Sequence, residues 1–98
     1  MSDKQDVVVA HRHCIRNRAE LKRSAISGCF YCLEIYSATD VWEWIRETQQ
    51  DKERLTAMCP KCGIDAVIGD ASGYPVADMQ FLERMKRHWF DAKSPIAD

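Results

Sequence analysis

Cys29-Phe30-Tyr31-Cys32 and Cys59-Pro60-Lys61-Cys62 decide how this chain folds. A two-residue spacer lets both thiolates of a pair point at one ion, and the amides of the turn can hydrogen-bond the sulfurs and offset their charge. Two such turns supply the four soft ligands of a tetrahedral Zn²⁺ site. Gly63 directly after Cys62 suits the knuckle form of the turn, which needs a positive φ there. Three other readings compete. A disulfide pair does not belong in a reducing compartment, and a redox CxxC needs no twin. An iron–sulfur cluster takes the same ligands. The expectation is one structural zinc on Cys29, Cys32, Cys59 and Cys62, with no open position for catalysis. Such a site supplies folding energy on the order of 10 kcal/mol.

The rest of the chain makes that energy useful. It has 98 residues, 46% hydrophobic and 30% charged, enough for a single domain but not for two cores. A domain of this size buries only about two-thirds of its unfolded surface. Residues 1–6 and 92–98 are expected to be frayed tails. The formal charge of −1 excludes a generally basic, histone-like binder. Residues 1–28 nevertheless carry six Lys/Arg against three Asp/Glu, and residues 29–98 carry eight against twelve. A basic end on an acidic body can steer an anionic partner or hold the two halves together. No apolar run reaches the ~20 residues of a membrane span. The polar start, Met1 to Asp6, carries no signal-peptide pattern. A cytoplasmic protein is expected.

Between and around the knuckles the pattern predicts an α+β domain: a small zinc-ribbon or treble-clef-like fold with three helices around a short antiparallel sheet. Val7 to Ser27 reads as a helix burying Val7, Ala10, Cys14, Leu21 and Ala25, and the β-branched Val7–Val9 moves its start toward Ala10. Leu33 to Tyr36 reads as a strand. Ser37-Ala38-Thr39-Asp40 reads as a capping box opening a second helix with Val41, Trp44 and Ile45 on one face. This helix fits within the 26 residues between the cysteine pairs. Leu55–Met58 and Ile64–Ile68 read as a hairpin over the second knuckle. Gly69 to Pro75 reads as a loop. Asp78 caps a last helix that presents Phe81, Leu82, Met85 and Trp89.

The string Asn17-Arg18-Ala19-Glu20, Ser24 and Gly28-Cys29-Phe30-Tyr31-Cys32-Leu33 continues in Cys59-Pro60-Lys61-Cys62-Gly63-Ile64-Asp65-Ala66-Val67-Ile68-Gly69. It goes on through Ser72-Gly73-Tyr74-Pro75 and closes with Phe81-Leu82 to Trp89-Phe90. Over about residues 10–90 this order resembles a small bacterial family of zinc-ribbon-like proteins with paired CxxC motifs, known simply as cytoplasmic proteins. Ser27-Gly28 stands where that family has Cys-Gly, which leaves the four-cysteine set intact. The resemblance implies a cytoplasmic location and a zinc-ribbon-like fold, and it implies no activity.

Beyond the cysteines, two stripes on the first helix stand out. His13, Asn17, Glu20 and Ser24 recur at helical spacing. With Asp65, Asp70, Ser72 and Tyr74 from the Gly-rich loop, they contain a base, its orienter and hard ligands for a second ion. A small hydrolase, acting by metal-assisted phosphodiester hydrolysis through His13, Asn17, Glu20 and Asp70, is the alternative to a binding module. In the bland reading, the same stripe ties the helix to the loop by hydrogen bonds. Arg12, Arg16 and Arg23 form the other stripe and, with Tyr74, are the binding candidates. Phe30 and Tyr31 would stack bases if the partner were nucleic acid. The acidic body favours a protein partner. Tyr36 and Trp42 are candidates for an exposed aromatic patch. His11 and Arg18 read as rim residues, His88 as a semi-buried packing residue beside Phe81 and Met85, and Cys14 as a buried free thiol.

Overall fold

A computed structural model describes residues 3–50 and 54–91. The tail at 92–98 lies outside the described residues. At the other end, helix α1 (Asp3–Ala10) already begins within the segment read as a tail.

The long first helix of the sequence reading is broken. After α1 the chain tightens into a 3₁₀ turn, His11–Cys14, then extends at Ile15 (φ −123°, ψ 138°). Arg16 takes a left-handed φ of 51°, and a five-residue helix α2 (Arg18–Lys22) follows. The backbone by then has become strand β1 (Ile26–Cys29), within the predicted helix. The break is fixed from outside: the Arg16 amide donates to Thr56 Oγ1 (2.8 Å) and the Arg18 amide to the Leu55 carbonyl (3.1 Å). Two bonds to Leu55 and Thr56 outweigh a helical preference of only tenths of a kcal/mol per residue. The apolar arc is nonetheless buried at Val7, Ala10, Cys14 and Leu21, while Ala25 is exposed.

Strand β2 (Ile35–Ser37) pairs antiparallel with β1, Gly28 opposite Ile35. Ser37 does cap a helical turn, its hydroxyl accepting from the Thr39 amide (3.2 Å). That turn ends at Asp40, and no second helix follows. Glu43–Ile45 is instead strand β3, paired antiparallel with β4 (Thr56–Met58). The expected hairpin over the second knuckle is also absent. Strand β5 (Val67–Gly69) leaves β4 and pairs with β1, Gly28 opposite Ile68. The result is a three-stranded sheet in the order β2-β1-β5 and a separate two-stranded ribbon β3-β4.

Asp78 caps the last helix, α3 (Met79–Lys86), by accepting from the Gln80 amide (2.9 Å). The helix widens into a π-turn over Arg87–Asp91. Phe81, Leu82 and Met85 are buried against the sheet. Gly28 makes the close approach possible, since a Cβ there would lie 3.0 Å from the Val76 carbonyl oxygen and 3.1 Å from a Leu82 methyl. Phe30, Ile68, Val67 and Val76 complete the core. The outcome is an α+β fold with short antiparallel sheet structure and three helices. Among the described residues no helix is long and apolar enough to cross a membrane.

Candidate metal centre

The two knuckles have the same backbone plan. Cys29 donates its amide to the Glu34 carbonyl and accepts at its own carbonyl from Leu33. Cys59 does the same with Ile64 and Gly63, all four bonds measuring 2.8 to 3.0 Å. The residue after each second cysteine is left-handed: Gly63 at φ 79°, as expected, and Leu33 at φ 64°. Amides in each turn point at the first sulfur. Tyr31 and Cys32 donate to Cys29 Sγ at 3.3 and 3.4 Å, and Lys61 and Cys62 donate to Cys59 Sγ at 3.3 and 3.4 Å.

The two turns face each other. Cys29 Sγ lies 3.7 Å from Cys62 Sγ, Cys32 Sγ lies 3.8 Å from Cys59 Sγ, and all four sulfurs fall within 4.8 Å of one another. Four sulfurs about 2.3 Å from a central ion form a tetrahedron with edges of about 3.8 Å, so the cage is sized for one metal ion. A disulfide would bring two sulfurs to about 2.05 Å, and all five cysteines are free. A multi-iron cluster would spread the sulfurs wider than a single ion does. Four cysteines in this arrangement can hold a metal, in a structural site with every position filled by protein.

The electrostatics differ from one cysteine to the next. Burial pushes the Cys59 thiol up, but hydrogen bonds from the Tyr36 hydroxyl and the Cys62 and Lys61 amides bring it down to about 7. Burial holds Cys29 far above the ordinary thiol range despite its two amide donors, and raises Cys32 to about 11. A cation is what compensates four sulfurs brought this close. Tyr36 corrects the sequence reading: it is buried, not part of an exposed patch, and its hydroxyl donates to Cys59 Sγ over 3.1 Å. Its place four residues after Cys32 was the available signal.

Cys14 is not part of this cage. It is buried at 2% exposure, and burial followed by the charge of Asp65 raises its thiol to about 12.

The His13 stripe survives the break in the helix. His13 Nδ1 lies 3.0 and 3.1 Å from the two Glu20 oxygens. Asn17 is buried, and its side chain is taken up by backbone: the amide donates to the His13 and Val67 carbonyls, and the oxygen accepts from the Ala57 amide. Ser24 donates to the Glu20 carbonyl and accepts from the Ala71 amide, while Asp70 accepts from the Ala25 amide. Ser24 and Asp70 thus fasten the segment after α2 to the loop after β5. Among the described residues, the group of three or more metal-ligating side chains that comes together is the four cysteines; His13, Glu20 and Asp70 do not form one. Tyr74 stacks on Phe81 at 5.7 Å and tilts against His13 at 5.6 Å.

The arginines do not form a helical stripe, because Arg12 sits in the 3₁₀ turn, Arg16 in the break and Arg23 at the end of α2. Phe30 is buried and cannot stack on a base. Tyr31, 41% exposed, packs its edge against Phe90 at 4.9 Å. The Arg18 guanidinium covers the Trp44 ring at 5.5 Å, His11 stacks on Trp89 at 4.0 Å, and His88 meets Trp89 edge-on at 4.7 Å. Trp42 stands out at 71% exposure, and Trp89, placed on the buried face by periodicity, is 37% exposed. Comparison with family models, with curated proteins and with solved structures finds no match to this chain.

Proposed function

We propose that this chain is a zinc-stabilised cytoplasmic binding module that contacts a protein partner, and that it belongs to the bacterial zinc-ribbon-like family its sequence resembles. Zinc is the ion that a closed four-thiolate cage suits best. With no position left for water, the metal holds the fold and does no chemistry. The observation that carries the partner reading is Trp42. Its indole is 71% exposed beside the two-stranded ribbon, and exposed tryptophans are favoured anchors of protein interfaces. The acidic balance of residues 29–98 disfavours a phosphate backbone.

Cross-linking in cells, followed by reconstitution from purified components, tests this. A defined protein partner should bind the native chain and lose affinity on Trp42→Ser, with metal content and melting temperature unchanged. Steeply salt-dependent binding to DNA or RNA that weakens on replacing Arg12, Arg16 or Arg23 would overturn it in favour of a nucleic-acid partner.

The hydrolase is a second reading with one observation in its favour: Glu20 holds His13 as an orienting carboxylate holds a general base. Turnover of a phosphodiester that is lost on His13→Ala would establish it.

A further inference from the structure

A cavity of about 230 Å³ opens beside the 3₁₀ turn, lined by His11, Phe30, Trp89, Phe90, Glu47 and Asp65. We propose that this cavity is a binding pocket for an alkylated ammonium group, with the aromatic rings as its walls and the Glu47 and Asp65 carboxylates as its counter-charge.

Four features support that ligand class. The rings form a contiguous wall. His11 lies 4.0 Å from Trp89, and the buried Phe30, 6.3 Å from His11 and 5.8 Å from Phe90 centroid to centroid, backs the wall without itself facing a ligand. The face of an aromatic ring attracts a cation, and several rings around one pocket are the usual means of recognising quaternary ammonium.

The wall is also held in place. Trp89 donates its indole N–H to the Val7 carbonyl over 2.8 Å, which fixes the ring, and Phe30 is anchored in the core at 1% exposure. A rigid pocket loses little entropy when its ligand enters.

The charge has the right sign and is available. Glu47 and Asp65 are exposed, and neither makes an ion pair or a hydrogen bond to another described residue. Their field reaches the buried Cys14, which also lines the cavity, and both carboxylates help to hold its thiol protonated. Burial keeps His11 below its ordinary range, so at neutral pH its ring is an uncharged wall and does not compete with a cation.

The size selects a small head group. Pockets for drug-sized ligands run from about 300 to 1,000 Å³, and this cavity is smaller. It suits a methylated ammonium, either on a free molecule such as choline or at the end of a methylated lysine side chain. The pocket does not depend on the role of Trp42.

Nuclear magnetic resonance titration of the metal-loaded chain tests the pocket. Tetramethylammonium and choline should shift the resonances of His11, Trp89 and Phe90, whereas 3,3-dimethyl-1-butanol, the neutral isostere of choline, should not. Asp65→Asn and Glu47→Gln should each weaken choline binding about five-fold without changing the melting temperature, since neither carboxylate bonds to the fold. A trimethyllysine peptide binding more tightly than choline would assign a protein-borne group, and the reverse order a free amine. Equal binding of the neutral isostere, or no shift with any cation at millimolar concentration, would overturn the proposal. Neither result would affect a Trp42-dependent partner.

Discussion

The Tyr36 hydroxyl donates to the Cys59 sulfur across 3.1 Å, so Cys59 accepts from three N–H and O–H donors while Cys29, its counterpart in the other knuckle, accepts from two. The extra donor comes from β2, the strand that follows the first knuckle. A side chain attached to one cysteine pair therefore stabilises the charge on the other. The cage couples the two halves of the fold even before a metal joins them.

Tyr36→Phe should accordingly weaken metal binding about ten-fold or more, the range found for loss of an outer-shell partner. The fold should survive, because the ring still fills its buried site. Competition with a chromogenic chelator measures the change. An unaltered affinity would mean that the amide donors alone suffice at Cys59.

Gly63 and Leu33 test the knuckle backbone. A Cβ at Gly63 would meet nothing within 4 Å, so the cost of Gly63→Ala is purely conformational. At φ 79° that cost should be about 1–2 kcal/mol. Leu33 already bears this strain at φ 64° while packing against the core. Leu33→Gly therefore removes strain and packing together, and its net effect should be smaller than that of a core leucine truncation. Thermal melts of the two variants, each with its metal bound, make the comparison.

How much of this was legible in the sequence depended on how far apart the deciding residues were. The knuckles are local: ligand spacing and the following glycine lie within five residues, so the cage and the left-handed Gly63 followed from the string. The Asp78 and Ser37 caps were legible for the same reason. The broken first helix was not, because its cause is Thr56 and Leu55, some forty residues away, accepting the amides of Arg16 and Arg18. Periodicity was misleading there, since His13 and Glu20 stay together although the helix between them has gone. Glu43–Ile45 is a three-residue strand, too short for a period of 2 to be told from one of 3.6. The pairing of β5 with β1 instead of β4 is a choice of partner across the whole chain, which no local pattern encodes. The aromatic pocket joins His11, Phe30 and Trp89 from three separate segments and left no spacing to find.

Asn17 separates a scaffold from a reactive site. Its side chain makes three hydrogen bonds to backbone, two of them to the fully buried Val67 and Ala57. Asn17→Ala leaves those groups unpaired and should cost about 3–5 kcal/mol. Glu20→Ala breaks one part-exposed hydrogen-bonded contact with His13 and should cost about 1 kcal/mol or less. Chemical denaturation of both variants checks the ranking. Asn17→Ala with parental stability would show that its bonds contribute nothing to the fold and would strengthen the case for the hydrolase.

Cys14 gives the fold a specific alkaline weakness. Its thiol ionises near 9.0 when exposed, and burial, reinforced by the charge of Asp65, raises it to about 12 in the folded chain. Between those values the unfolded chain releases a proton that the folded one retains. The stability Cys14 contributes is therefore complete below pH 9 and is lost as pH rises towards 12, with a slope of up to about 1.4 kcal/mol per pH unit. Any other group that titrates in this window does so equally in a Cys14→Ala variant. The difference between the two proteins isolates Cys14. Denaturant unfolding at pH 8, 9, 10 and 11 should show the parent losing stability faster than Cys14→Ala above pH 9, with identical metal content in both. Parallel curves across that window would mean that Cys14 is open to solvent in the folded chain, and metal lost from the variant would place Cys14 among the ligands.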